Sequence, residues 1–116
     1  MSKALIPLAT GFEDIEAVSI IDVLRRGGVE VVTAALGEDV TVRSAHGIPM
    51  VADDLLSNVL ENEYDAIILP GGGVGTENLM ACAELHERLR RQKQRMLDDK
   101  HAQSAKKEMR RRVDYE

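Results

Sequence analysis

The chain has 116 residues, 44% hydrophobic and only 3% aromatic, with a formal net charge of −5. That length supports one domain at most, with a modest core built from Val, Ile, Leu and Ala. No apolar run nears the ~20 residues that span a bilayer, Met1-Ser2-Lys3 lacks a signal-peptide pattern, and the single cysteine, Cys82, excludes an internal disulfide.

A cytoplasmic location is therefore the expectation. The net charge hides a split, because residues 1–82 carry 4 Lys+Arg against 13 Asp+Glu, and residues 83–116 carry 11 against 7. All nine glycines and all three prolines lie at or before Gly75. Two kinds of sequence meet in this chain.

In chain order, Lys3–Ala9 is an apolar run that predicts a buried strand, although Pro7 favours an edge position. Thr10-Gly11 makes a turn, and Glu13-Asp14 place acids in the first turn of a helix, where the macrodipole stabilises them. Ile15, Val18, Ile21 and Leu24 carry that helix to the Gly27-Gly28 stop. Val29–Leu36 predicts a second strand. Val40–Arg43 and Ile48–Val51 predict a hairpin about Ser44-Ala45-His46-Gly47. Asp53 or Asp54 is expected to cap a short helix through Leu55, Leu56, Val59 and Leu60. Tyr64-Asp65 leads into a strand over Ala66–Leu69. From Thr76 the pattern is one long helix with the stripe Leu79, Cys82, Leu85 or His86, and Leu89.

This order predicts an α/β fold, part of a flavodoxin-like doubly wound parallel sheet with a small β-hairpin and a long C-terminal helix. Ligands bind such sheets beyond the carboxyl ends of the strands. Two loops qualify, Ala9–Asp14 and Pro70–Thr76. The second holds Gly71, Gly72, Gly73 and Gly75, a turn in which bare amides can approach a ligand closely. It has neither the Lys-Ser/Thr of a phosphate loop nor the spacing and acid of a dinucleotide site. No cofactor is expected. Cys82 sits in an apolar stripe and reads as a packing residue. His46, His86 and His101 have no second ligand at metal spacing, so no metal is expected either.

The stretches Ala4–Val18, Asp22–Gly28, Ser44–Gly47 and Tyr64–Gly72 resemble the ThiJ/PfpI family. That family includes the Parkinson-disease-associated deglycase and cofactor-independent glyoxalases, within the class I glutamine amidotransferase-like superfamily. The resemblance covers the segment 1–95, an N-terminal part of such a domain, and leaves 96–116 as a divergent basic tail, helical or disordered. It implies that Glu16 occupies an acid/base position beside a nucleophilic cysteine, and that Gly71 and Gly72 supply oxyanion-binding amides. Glu13 and His46 fall near the site or a dimer face, although the family often carries arginine where His46 stands. The family's nucleophile arrives on a later strand, where this chain has Met96-Leu97-Asp98-Asp99-Lys100.

The resemblance thus implies glyoxalase- or deglycase-type chemistry on small aldehydes, in a stress response to reactive aldehydes, with no nucleophile elbow and no expected independent activity. As a partner it implies a second copy or a full-length relative, the family being commonly homodimeric. The remaining readings are a non-catalytic, dimerising remnant and an adaptor whose basic tail meets nucleic acid or a membrane surface. For that tail, acids interspersed among the arginines favour a solvated helix face.

Overall fold

Residues 2–94, the part of the chain that the computed structural model describes, alternate strand and helix. The elements are β1 (Lys3–Leu8), α1 (Asp14–Arg26), β2 (Glu30–Ala35), β3 (Thr41–Arg43), β4 (Pro49–Val51), β5 (Asp54–Leu55), α2 (Leu56–Val59), β6 (Ala66–Ile67) and α3 (Gly73–Met80). A further helix, α4, occupies residues 83–94. Four strands form a parallel sheet in the order β5-β2-β1-β6, and β3 and β4 pair as the expected antiparallel hairpin. This is the α/β architecture expected from the sequence. The tail from residue 95 onward, including the expected 96–116 segment, lies outside the described residues.

Alternation along the strands sorts the core into two faces. Leu5 and Ala9 from β1 and its end, with Ala34 from β2, meet Leu56, Val59, Leu60, Tyr64, Leu79 and Leu85 on one side. Ile6, Leu8, Val31 and Ala35 point the other way, against Phe12, Ala17, Ile21, Val42 and Ala52. Both faces of β1 are buried, so it reads as a continuous apolar run.

Pro7 does not send β1 to an edge, because its missing N–H leaves the β2 ladder intact and shortens only the pairing with β6. Leu8 accepts from the Leu36 amide on the β2 side, so Pro7 is turned toward β6. There Ile68 donates to Leu5, and the next two bonds would need the N–H groups of Pro7 and Pro70. Neither exists, and the β1–β6 ladder stops.

Other expectations need correction. Of the expected series, Ile21 is buried and Leu24 packs against the core, but Ile15 and Val18 are 77% and 53% exposed and Ala17 takes their place. Three-residue spacing drifts around a 3.6-residue helix and cannot stay on one face. Asp53 and Asp54 do not cap α2, whose N-cap is Leu55 without a side-chain bond. Asp53 instead accepts from the Thr33 amide and hydroxyl, holding β5 beside β2. The long helix is two helices, since Ala81 ends α3 and the His86 amide bonds to Cys82 to start α4. Leu79 and Leu85 lie about 120° apart on a continuous helix. The break brings both into the same core cluster.

Two polar residues of α4 are buried. Arg88 donates to the Leu60 carbonyl at 3.0 Å, to the Asn62 carbonyl at 3.1 Å and to Gln92 at 2.7 Å. Gln92 donates to the Tyr64 carbonyl at 2.9 Å. Arg88 therefore closes the exit of α2 rather than facing solvent, and Arg90 and Arg91 pair with Glu87 and Glu61. Among the described residues, no helix is long and apolar enough to cross a membrane.

Candidate functional site

In the sheet β2 and β5 lie to one side of β1 and β6 to the other, so the direction of winding reverses between β1 and β6. The loops leaving these two strands meet at that switch point, where open α/β sheets hold ligands. The Gly71 peptide is bonded on both sides to the start of α1. Its carbonyl accepts from the Glu13 amide at 3.0 Å, and its N–H donates to Glu16 Oε1 at 2.9 Å. Asn78 on α3 completes the junction by donating to the Thr10 carbonyl at 2.8 Å.

Two glycines make this approach possible. Gly72 has φ +104°, and a Cβ there would stand 2.7 Å from the Gly11 carbonyl oxygen. A Cβ on Gly75 would meet the Phe12 backbone at 2.8 Å. The glycine turn is therefore wedged against the β1–α1 loop. Glu16 faces the crevice from the first turn of α1, and it is exposed.

A second polar cluster adjoins this junction. The loop between β3 and β4 brings Ser44 and His46 to Asp14, the first residue of α1. Ser44 Oγ donates to Asp14 Oδ2, and His46 Nδ1 lies 2.9 Å from Asp14 Oδ1. The Ser44 hydroxyl, followed by His46, holds the Asp14 carboxyl below its ordinary pKa. The bond and charge of Asp14, with a smaller contribution from Glu13, raise that of His46. The residue types match a hydrolase triad, but the order does not. Here the carboxylate stands between serine and histidine, so no imidazole takes a proton from Ser44.

Cys82 is half-buried at the α3–α4 break and lines a groove of about 490 Å³ with Leu36, Gly37, Glu38, Leu56, Ser57, Ala83 and Glu84. That set shares no residue with the Glu16–Gly71 junction. His86 uses Nε2 on the Met80 carbonyl at 2.7 Å. Of the residues singled out from the sequence, the fold thus gathers Glu13, Glu16, Gly71 and Gly72, with His46 in the adjoining cluster and Cys82 elsewhere. Asp14, Ser44 and Asn78 escaped sequence reasoning, since their partners lie 30, 32 and 68 positions away and no spacing rule reaches that far.

A parallel α/β sheet with a glycine turn and an acid at its switch point defines the class, a flavodoxin-like domain. Residues 2–97 match the model of the DJ-1/PfpI family, and the chain belongs to that family. It is 49% identical over 90 residues to protein DJ-1 homolog B of Arabidopsis thaliana, covering 78% of this chain and 20% of that protein. It is 38% identical over 80 residues to the glutathione-independent glyoxalase DJR-1.2 of Caenorhabditis elegans, covering 69% and 42%. The solved structure of oxidized Toxoplasma gondii DJ-1 superposes with a TM-score of 0.80 at 43% identity, covering 82% of this chain and 52% of that one. The chain therefore spans about half, or less, of the length of the relatives it matches.

Proposed function

We propose that this chain carries the acid-and-amide half of a glyoxalase- or deglycase-type site for small reactive aldehydes, and that it turns over no aldehyde alone. The observation that carries the reading is the Glu16 carboxylate on the Gly71 amide at 2.9 Å, at the switch point of the sheet. A relative named as a glyoxalase supports the substrate class. In this reading Glu16 moves protons, and it must swing away from Gly71 before that amide can hold a substrate oxygen. The thiolate that attacks the carbonyl is not Cys82, which lines a separate groove.

The test is methylglyoxal turnover. The 116-residue chain should show none above buffer. Fusion of the C-terminal half of a family member after residue 94 should restore it. Glu16→Gln should then lower the restored rate by about 10²-fold or more, as expected for loss of a general acid/base. Turnover by the unextended chain that disappears in Cys82→Ser would overturn the proposal.

A second reading, association with another copy or a full-length relative, is favoured by one observation. Among the described residues β6 forms an edge of the sheet, and Leu69 just beyond it is 36% exposed. Such an edge is a template for another chain.

A further inference from the structure

We propose that Glu13, Asp14 and His46 form a binding site for a divalent transition-metal ion, with zinc as the reference ion. The three side chains each present one donor atom, and these atoms all lie within 4.8 Å of one another. His46 Nδ1 and Asp14 Oδ1 are 2.9 Å apart. Two ligands bound about 2.1 Å from one ion at near-right angles have about that separation. The pair needs little rearrangement to share an ion in place of a proton.

The chemistry of the donors selects the ion. One imidazole nitrogen and two carboxylate oxygens suit zinc, cobalt or manganese, whereas calcium takes six to eight oxygens. Asp14 also has the outer support that metal ligands use. Its other oxygen takes the Ser44 hydroxyl, which in turn accepts the amides of His46 at 3.3 Å and Ile48 at 3.0 Å. His46 is 72% exposed at its side chain and Asp14 15%, so water can fill the remaining coordination positions.

One effect opposes a cation here, because Asp14 begins α1 and a helix N-terminus is positive. That end is equivalent to roughly +0.5 charge. Glu13, Asp14 and Glu16 together bring three carboxylates to the same turn, which outweighs it. The site depends on tertiary structure, since His46 is 32 positions from Asp14 and reaches it only through the hairpin. It is also independent of the aldehyde chemistry proposed above.

Isothermal titration of the full chain with zinc, after chelator treatment, tests the inference. One ion should bind per chain. Affinity should fall by about tenfold or more in His46→Ala and in Asp14→Asn. Glu13→Gln, which leaves the Ser44–Asp14 bond in place, should weaken binding in the same direction and guards against a folding defect in the other variants. Cys82→Ser and His101→Ala should bind like the parent chain. Cobalt should give visible ligand-field bands that disappear in His46→Ala. No binding by the parent chain, unchanged binding in His46→Ala, or binding that follows Cys82 or His101 would each overturn the assignment.

Discussion

At Gly72 two constraints coincide, a φ of +104° and a neighbouring carbonyl oxygen 2.7 Å from where a Cβ would stand. Gly28, beyond the end of α1, has φ +84° with open space around it. The two positions separate backbone strain from collision. Gly28→Ala should cost about 1 kcal/mol, the conformational penalty alone. Gly72→Ala should cost about 2–4 kcal/mol, because relieving the contact also shifts the β1–α1 loop. Denaturant unfolding of both variants measures the difference, and equal losses would show that the collision is absorbed freely.

Tyr64 offers a second test at this scale. Its ring is buried, its hydroxyl donates to the Val59 carbonyl, and burial raises its pKa above the ordinary value of 10.0. A raised folded pKa means that the folded state holds the phenolic proton more tightly. The contribution is complete below pH 10 and is lost as pH rises through the higher folded value. Absorbance of tyrosinate near 295 nm should therefore show a late phase from Tyr64, above the ordinary tyrosine range. Loss of the later phase in Tyr64→Phe assigns it.

At the level of elements, the junction of α2 and α4 rests on Arg88. Truncation to alanine leaves the buried Leu60 carbonyl, and the partly exposed Asn62 carbonyl, without their donors. Arg88→Ala should cost about 2–3 kcal/mol. Arg90→Ala, which removes an exposed pair with Glu87, should stay within about 0.5 kcal/mol. Thermal unfolding of the two variants separates a structural arginine from a surface one. From the sequence both belonged to the same basic run. Composition cannot tell a cation that caps buried carbonyls from one that faces water, because the carbonyls come from a loop 26 and 28 positions away.

The same limit explains the other misplacements among the elements. The stripe from Leu79 to Leu89 is apolar whether or not the helix is broken, so periodicity alone predicts one helix. Only the need to place Leu79 and Leu85 against the same sheet face selects the break at Ala81 and Cys82. Asp53 likewise has the residue type of a cap. Thr33 on a neighbouring strand competes for its oxygens and wins.

At the scale of the whole molecule, the side of β6 left open among the described residues sets the expected behaviour. Among the described residues, no strand pairs with β6 on the side away from β1, and Leu69 just beyond it is exposed. Purified chain should self-associate in a concentration-dependent way by light scattering, and Leu69→Lys should lower the apparent mass. A strictly monomeric parent chain at high concentration would remove the support for the edge as a pairing surface.

What the sequence determined by itself is the alternation of strand and helix, the glycine turn after β6, and the acid one turn into α1. These depend on local chemistry, namely apolar period, glycine's freedom at positive φ and the preference for acids at a helix start. Tertiary structure alone decided that Gly71 and Glu16 share a hydrogen bond across 55 positions, and that His46 joins Asp14 and Glu13. Such contacts depend on the order of strands in the sheet and on where the hairpin folds back. That order is set by burying both faces of β1 at once, a requirement that no local segment carries.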